Sequence, residues 1–290
     1  MKISGFTFVR NAIKYDYPVV ESITSILSIV DEFVISIGNS EDNTLQLIES
    51  IPSPKIKIVH SVWDDSLRRG GRVLAVETDK AFAQISPDSD WAFYLQADEV
   101  VHEKYFETII KEAQQHLDNP QVEGLLFRYL HFYGTYNYVG DTRRWYNREI
   151  RIIRNDKNIR SFRDAQGFRK NGRKLNVKLI DAFIYHYGWV KHPQLQRHKR
   201  DDFHIYWSND QGASFKKEKN ELFDYMNDVD SLKRFEETHP AVMQKRISEK
   251  NWDIDYNSSR KKMSLKDSFL HKIEKLTGKR FFDYKNYRII

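Results

Sequence analysis

The first hundred residues switch repeatedly between two periods of hydrophobicity, and a layered α/β sheet is the arrangement that accommodates such alternation. Residues 2–9, KISGFTFV, are rich in strand formers and end at the polar pair Arg10-Asn11. Pro18 opens a segment in which Val19, Val20, Ile23, Ile26, Leu27 and Val30 fall on one helical face, which predicts a helix over 18–30. Residues 32–38, EFVISIG, return to strand. The turn NSEDNT is dense in capping residues, and Leu45, Leu47 and Ile48 carry a short helix. Residues 55–61, KIKIVHS, give a third strand, followed by the loop WDDSLRRGG and a helix striped by Leu74, Thr78, Ala81, Phe82 and Ile85. Residues 91–97, WAFYLQA, are the fourth strand.

That fourth strand delivers Asp98 and Glu99 to its carboxyl end, the edge of an open α/β sheet where loops and helix N-termini converge on ligands. A well-patterned helix with Phe106, Ile109, Ile110, Ala113 and Leu117 inward follows. Beyond residue 120 the pattern changes to longer strands, 124–134, 148–154 and 174–188, separated by basic, aromatic loops, so an antiparallel or mixed extension of the sheet is expected. From Pro193 the sequence is helical and strongly charged. The expected organisation is one α/β unit over residues 1–190 and a mainly helical C-terminal extension over 191–290.

Composition narrows the chemistry. The chain has no cysteine, which removes disulfides and thiolate metal sites and makes a reducing compartment the simplest home. No apolar run is long enough to cross a bilayer and the N-terminus has no leader pattern, so a soluble, cytoplasmic protein is expected. A formal net charge of +6 favours an anionic partner. A nucleic acid is not expected, because lysine and arginine are scattered among acids without a reading module.

An acid at a strand end, with Arg68, Arg69 and Arg72 nearby, suits a divalent cation that bridges a carboxylate to a diphosphate, since Mg²⁺ and Mn²⁺ prefer hard oxygen ligands. The order of Arg10-Asn11, ISIGNSEDNT, the helix containing Asp79, and FYLQADE resembles the family 2 glycosyltransferases over roughly residues 1–190. That resemblance implies a GT-A-like (Rossmann-like) mixed sheet flanked by helices. It implies transfer of a sugar from a nucleotide-sugar donor, UDP-linked, to a carbohydrate or glycolipid hydroxyl, inverting, with Mn²⁺ or Mg²⁺ as cofactor, as in cell-surface polysaccharide synthesis. Ser40, Asp42 and Thr44 match the Ser, Asp and Thr of the family's nucleotide loop, and Gln96-Ala97-Asp98 stands where its DxD motif would be. The implied donor site is Arg10, Asn11, Asn39, Ser40, Asp42, Arg72, Asp79, Gln96, Ala97 and Asp98. Two departures stand out: Ile37-Gly38 replaces an acidic pair, and Gln96 replaces the first acid of DxD. Asp98 would then be the metal ligand, with Glu99 as a helper. Without a metal, Arg68, Arg69, Arg72, Arg143 and Arg144 would offset the diphosphate instead.

In the same resemblance Asp164, in SFRDAQGF, is the base that deprotonates the acceptor, and His186, in IYHYGW, is a second metal ligand. The residues alone leave alternatives open: an ion pair of Asp164 with Arg163 or Arg169, and a histidine at 186 bonded to a carbonyl. Aromatics between 129 and 149, with Trp189, offer faces for sugar rings, so Tyr133, Arg144, Trp145 and Trp189 are the acceptor-side candidates. The six-residue spacing of His186, His192, His198 and His204 fits no zinc site. Residues 264–278 read as a capped helix with Leu265, Phe269, Ile273 and Leu276 on one face among lysines. That face is expected to pack on its own domain; the other reading is peripheral contact with the inner face of an anionic membrane. A sugar nucleotidyltransferase would want a glycine-rich phosphate loop after the first strand, which GFTFVRNAIKY does not supply. The competing non-enzymatic reading, prompted by Ile37 and Gln96, is a catalytically degenerate GT-A-like protein that binds nucleotide-sugar or glycan.

Overall fold

Strands β1 (Ile3–Val9), β2 (Glu32–Ile37), β3 (Ile56–His60) and β4 (Trp91–Tyr94) alternate with helices α1 (Val19–Thr24), α2 (Thr44–Glu49) and α3 (Arg72–Phe82). They lie side by side, all parallel, in the order β3-β2-β1-β4. The computed structural model describes residues 1–67, 69–203, 222–227, 229–254, 256 and 263–290. Arg68, the side chain of Arg69 and His204 lie outside the described residues. The helix predicted over 18–30 is regular only to Thr24; turns bonded three residues back then carry Ile26 and Val30 into the core.

After β4 the direction of the sheet becomes mixed, as expected. The elements that follow are β5 (Glu99–Val101), α4 (Phe106–Gln115), β6 (Gly124–Tyr133), β7 (Tyr138–Gly140), β8 (Arg148–Arg154), β9 (Ile159–Phe162), β10 (Gly167–Lys170) and β11 (Arg173–Trp189). Strand β8 inserts antiparallel between β4 and β6, and β6 pairs in parallel with β11. The order is completed as β4-β8-β6-β11-β10-β9, with β5 antiparallel to β11. Side chains alternate between two cores: Phe33 and Ile35 join the layer with Ile23, Ile48 and Ile109, while Val34 joins Phe6, Phe82 and Phe168 on the opposite face. The result is a mixed sheet flanked by helices.

The C-terminal residues contribute α5 (Pro193–Phe203), β12 (Leu232–Arg234), α6 (Gln244–Ser248), α7 (Leu265–Thr277) and β13 (Tyr287–Ile289). Two of these elements return to the sheet, since β12 pairs with β7 and β13 with β11. Helix α7 corrects the packing expectation. Leu265, Phe269 and Leu276 are exposed, whereas the inward side of the helix carries buried His271 and the ion-paired Glu274. Polar contacts with residues 141–145 hold the helix, so Leu265, Phe269 and Leu276 are left facing outward while Ile273 is half-buried. Among the described residues, no helix is long and apolar enough to cross a membrane.

Candidate functional site

Glu99 anchors the loop that follows β4. Its carboxylate is wholly buried and accepts Nε and Nη2 of Arg151 on β8, each at 2.7 Å, as well as the Tyr129 hydroxyl at 2.7 Å and the Gln96 amide at 3.1 Å. All its oxygens are committed, which corrects the reading of Glu99 as a helper metal ligand. Its role is to pull the loop against the sheet through a bidentate, charge-assisted pair.

Asp98, the next residue back, turns the other way. Its Oδ1 lies 3.7 Å from His186 Nε2 and its Oδ2 lies 3.7 Å from Lys199 Nζ on α5. Burial opposes ionisation of Asp98, but the basic groups of His186, Lys199 and Lys191 overcome it and hold the carboxyl below its ordinary value. Tyr17 stacks beneath both lysines, with Lys191 Nζ 4.8 Å and Lys199 Nζ 4.7 Å from its ring centre.

His186 has a fixed tautomer. It is the register partner of His131 on β6, and the two Nδ1 atoms are 3.0 Å apart. His131 Nε2 lies 2.7 Å from the carbonyl oxygen of Tyr146, which can only accept, so His131 carries its proton there. Burial lowers both imidazoles below the ordinary histidine value, which keeps them neutral near pH 7. His131 Nδ1 therefore accepts from His186 Nδ1–H, and the lone pair on His186 Nε2 is left toward Asp98. Of the two histidines, His131 is the one bonded to a carbonyl.

Gly188, in a register irregularity of β11, keeps the space beside this pair open; a Cβ there would lie 2.6 Å from Asp98 Oδ2 and 2.7 Å from His186 Nε2. One carboxylate, one bare imidazole nitrogen and a cradle that even a methyl would fill fit a hard divalent cation that takes its other ligands from phosphate and water. Among the described residues no group of three or more His, Cys, Asp or Glu side chains could hold a metal on its own.

A cavity of about 700 Å³ opens onto these groups and brings together Arg10, Gln96, Ala97, Asp98, Asp164, His186 and Trp189 from the predicted set. Asp164 lines the same cavity, and it is held by an unusual backbone. Its two neighbours, Arg163 and Ala165, both occupy the left-handed region, with φ of 58° and 63°. Non-glycine residues there cost on the order of 1–3 kcal/mol each and persist where the surroundings over-determine them. Burial pushes the Asp164 carboxyl up, against the partial opposition of Arg163. Arg169 turns away to the Tyr284 hydroxyl, 2.9 Å distant, and Arg163 lies over the Tyr284 ring. Gln96 Nε2 donates to Ala165 O at 3.4 Å, tying the two loops to each other beside the cavity.

Several other candidates brace the cavity without lining it. Asn11, itself at φ 56°, accepts the Glu41 amide at 2.7 Å, Ser40 Oγ accepts the Asn11 amide at 3.1 Å, and Asp42 accepts the Lys14 amide at 2.7 Å. These bonds knit the loops after β1 and β2 to each other. Asn39 supports two lining residues, accepting from Arg10 Nε and from the Trp63 amide. The departure at Ile37-Gly38 has a packing reason, since a Cβ on Gly38 would lie 2.4 Å from the Trp63 indole nitrogen. Arg72 is exposed at the start of α3, and Asp79 accepts the Ser161 amide at 2.7 Å, so the structure places neither at the cavity. Arg143 pairs with Glu274 at 3.0 Å. Tyr133 is buried behind Trp189, Trp145 stacks on His131, and exposed Arg144 covers Trp145.

The sequence reading missed Tyr17, Trp63, Tyr146, Lys199 and Arg200, all of which line the cavity. The spacing of Gln196, Lys199 and Arg200, three and four residues apart on α5, is the signal that could have found the last two.

No family model matches the sequence, and no curated protein matches it either. Solved structures do. The chain is similar to a crystal structure of Staphylococcus aureus TarS residues 1–349, with 14% identity, 71% of this chain and 65% of that one covered, and a TM-score of 0.39. It is similar to glucosyl-3-phosphoglycerate synthase from Mycobacterium tuberculosis, solved with Mn²⁺, UDP and phosphoglyceric acid, with 15% identity, coverages of 45% and 43% and a TM-score of 0.30. A third similarity is to 4-diphosphocytidyl-2C-methyl-D-erythritol synthase from Anaerococcus prevotii, with 11% identity, coverages of 53% and 71% and a TM-score of 0.34. The chain thus spans less than two thirds of the TarS fragment it matches.

Proposed function

We propose that the protein is a GT-A-type glycosyltransferase that moves a sugar from a UDP-linked donor to a hydroxyl of a carbohydrate or glycolipid, inverting the anomeric carbon, in the cytoplasm. The observation that carries this reading is one cavity lined together by Arg10, Asp98, Asp164, His186 and Lys199. Phe8, Trp63 and Leu74 offer an apolar end for the nucleobase, and Arg10, Lys199 and Arg200 offer cations to the diphosphate. Asp98 and His186 Nε2 would hold Mn²⁺ or Mg²⁺, which when bound neutralises the charge of the departing diphosphate.

Asp164 takes the proton of the acceptor hydroxyl as that oxygen bonds to the anomeric carbon, and the bond from that carbon to the diphosphate oxygen breaks. The nucleoside diphosphate leaves with the bonding pair. A carboxyl raised by burial is the stronger base for this step. Trp189 presents its ring to a sugar face, with Tyr133 and Trp145 as its support. The test is turnover of UDP-sugars with and without Mn²⁺. Asp98→Ala is expected to abolish donor binding, while Asp164→Asn keeps donor binding and loses transfer; transfer at the parent rate in Asp164→Asn would overturn the assignment.

A second reading, a degenerate protein that binds the donor without turnover, is favoured by Gln96 in the first acidic position of the motif. It predicts tight donor binding, no transfer and no effect of Asp164→Asn.

A further inference from the structure

We propose that the outward face of α7, continued by Phe281 and Phe282, docks on an anionic phospholipid bilayer. Helix α7 is inverted relative to an ordinary surface helix, which turns its apolar stripe inward. On the inner side, Glu274 meets Arg143 at 3.0 Å, His271 Nε2 lies 3.9 Å from Asp141, and Arg280 just beyond the helix donates to Trp145 O at 2.7 Å. On the outer side, Leu265 is 93%, Phe269 64% and Leu276 86% exposed, and Phe282 is 93% exposed. The separations of four and seven residues put Leu265, Phe269 and Leu276 on one stripe, opposite the ion-paired side.

The charge around the stripe selects the occupant. Lys266, Lys272, Lys279 and Lys285 are exposed, and Lys275 is exposed but paired with Asp141 at 3.3 Å, while the nearby acids are engaged: Glu274 with Arg143, Asp283 with Arg280, and Asp267 with the capping Ser264. Large apolar side chains in a cationic ring match a surface of negative headgroups over hydrocarbon. A second copy of the same face would set lysine against lysine about a two-fold axis.

The position is also apt. Arg280 and Glu274 hold the loop that carries Trp145 and Tyr146, and Tyr146 is a wall of the cavity. The inference rests on the glycolipid form of the proposed function, whose acceptor would come from that surface.

The experiment is flotation of the full chain with vesicles of phosphatidylcholine alone and of phosphatidylcholine mixed with phosphatidylglycerol, without donor. Binding is expected to the anionic vesicles, weakened by salt, and Phe269→Glu with Leu276→Glu is expected to reduce it by at least about tenfold. Donor hydrolysis in solution should be unchanged in that variant. Equal partition of parent and variant, or no preference for the anionic vesicles, overturns the proposal. So does a parent dimer that the variant converts to a monomer, because a second copy would then cover the face. Vesicle binding without any donor turnover would sink the transferase reading and leave the docking surface standing.

Discussion

His131 and His186 are register partners on adjacent parallel strands, and their Nδ1 atoms are 3.0 Å apart. One proton between those atoms, fixed by the carbonyl of Tyr146 on the far side, leaves the His186 nitrogen that faces Asp98 without a hydrogen.

His131→Phe removes the acceptor for His186 Nδ1–H and frees the ring to turn. The expected result is a rise of about 10–100-fold in the Mn²⁺ concentration needed for half-maximal donor turnover. Imidazole ¹⁵N shifts of His186 provide a second readout: the parent should show an unprotonated Nε2, and a parent with Nε2 protonated contradicts the tautomer assignment.

Gly188→Ala tests the cradle without replacing a charged residue. A Cβ 2.6 Å from Asp98 Oδ2 must displace the carboxylate or the imidazole. Metal and donor binding, followed by calorimetry, are expected to fall sharply while the thermal transition changes little. Normal binding in this variant would show that nothing occupies the space.

Glu99→Ala leaves the Arg151 guanidinium buried and uncompensated. The expected cost is about 3–5 kcal/mol in chemical denaturation, since breaking a buried pair strands its partner. Replacing both residues with apolar side chains of similar size should recover much of that loss. A cost near zero for the single change would mean that water reaches Arg151.

Stability should fall as the solution is acidified below the ordinary histidine value. Burial lowers His102, His131, His186 and His239, the last from 6.5 to about 4. The unfolded chain takes up protons below 6.5 that the folded chain refuses, so unfolding becomes easier as pH drops through the window from 6.5 to 4. Each such histidine contributes a slope of at most about 1.4 kcal/mol per pH unit. Urea midpoints at pH 7, 6 and 5 check the sign, and His239→Gln should flatten the profile; midpoints that rise on acidification would refute it.

The parallel half of the fold was legible because its strands are buried on both faces and its helices carry one stripe, so the period of each segment declares its state. That Asp98, Asp164 and His186 would stand near one another was legible too, since each ends an apolar strand or sits in a short polar loop, and all three line the cavity. The rest depended on partners distant in sequence. Nothing local distinguishes Asp98 from Glu99: what separates them is Arg151 on another strand. Nothing local distinguishes Asn11, Ser40 and Asp42 as loop braces from ligand contacts, because the same side-chain oxygens do either. The orientation of α7 inverted a stripe that alone would predict burial, and the reason lies in Arg143 and Asp141 more than a hundred residues earlier.

The seventeen-residue strand β11 makes the chemistry at position 186 a matter of parity. His186 points toward the cavity while Tyr185 and Tyr187 belong to the aromatic cluster on the other side. Removing or adding one residue between Phe183 and His186 would exchange a tyrosine for the imidazole at the mouth of the pocket. The two irregularities against β6, at 179–183 and 186–189, are the places where such a change in length could be absorbed. Drift in this protein's length is thus tolerable at the first of those joints and ruinous at Ile184 and Tyr185, which separate it from His186.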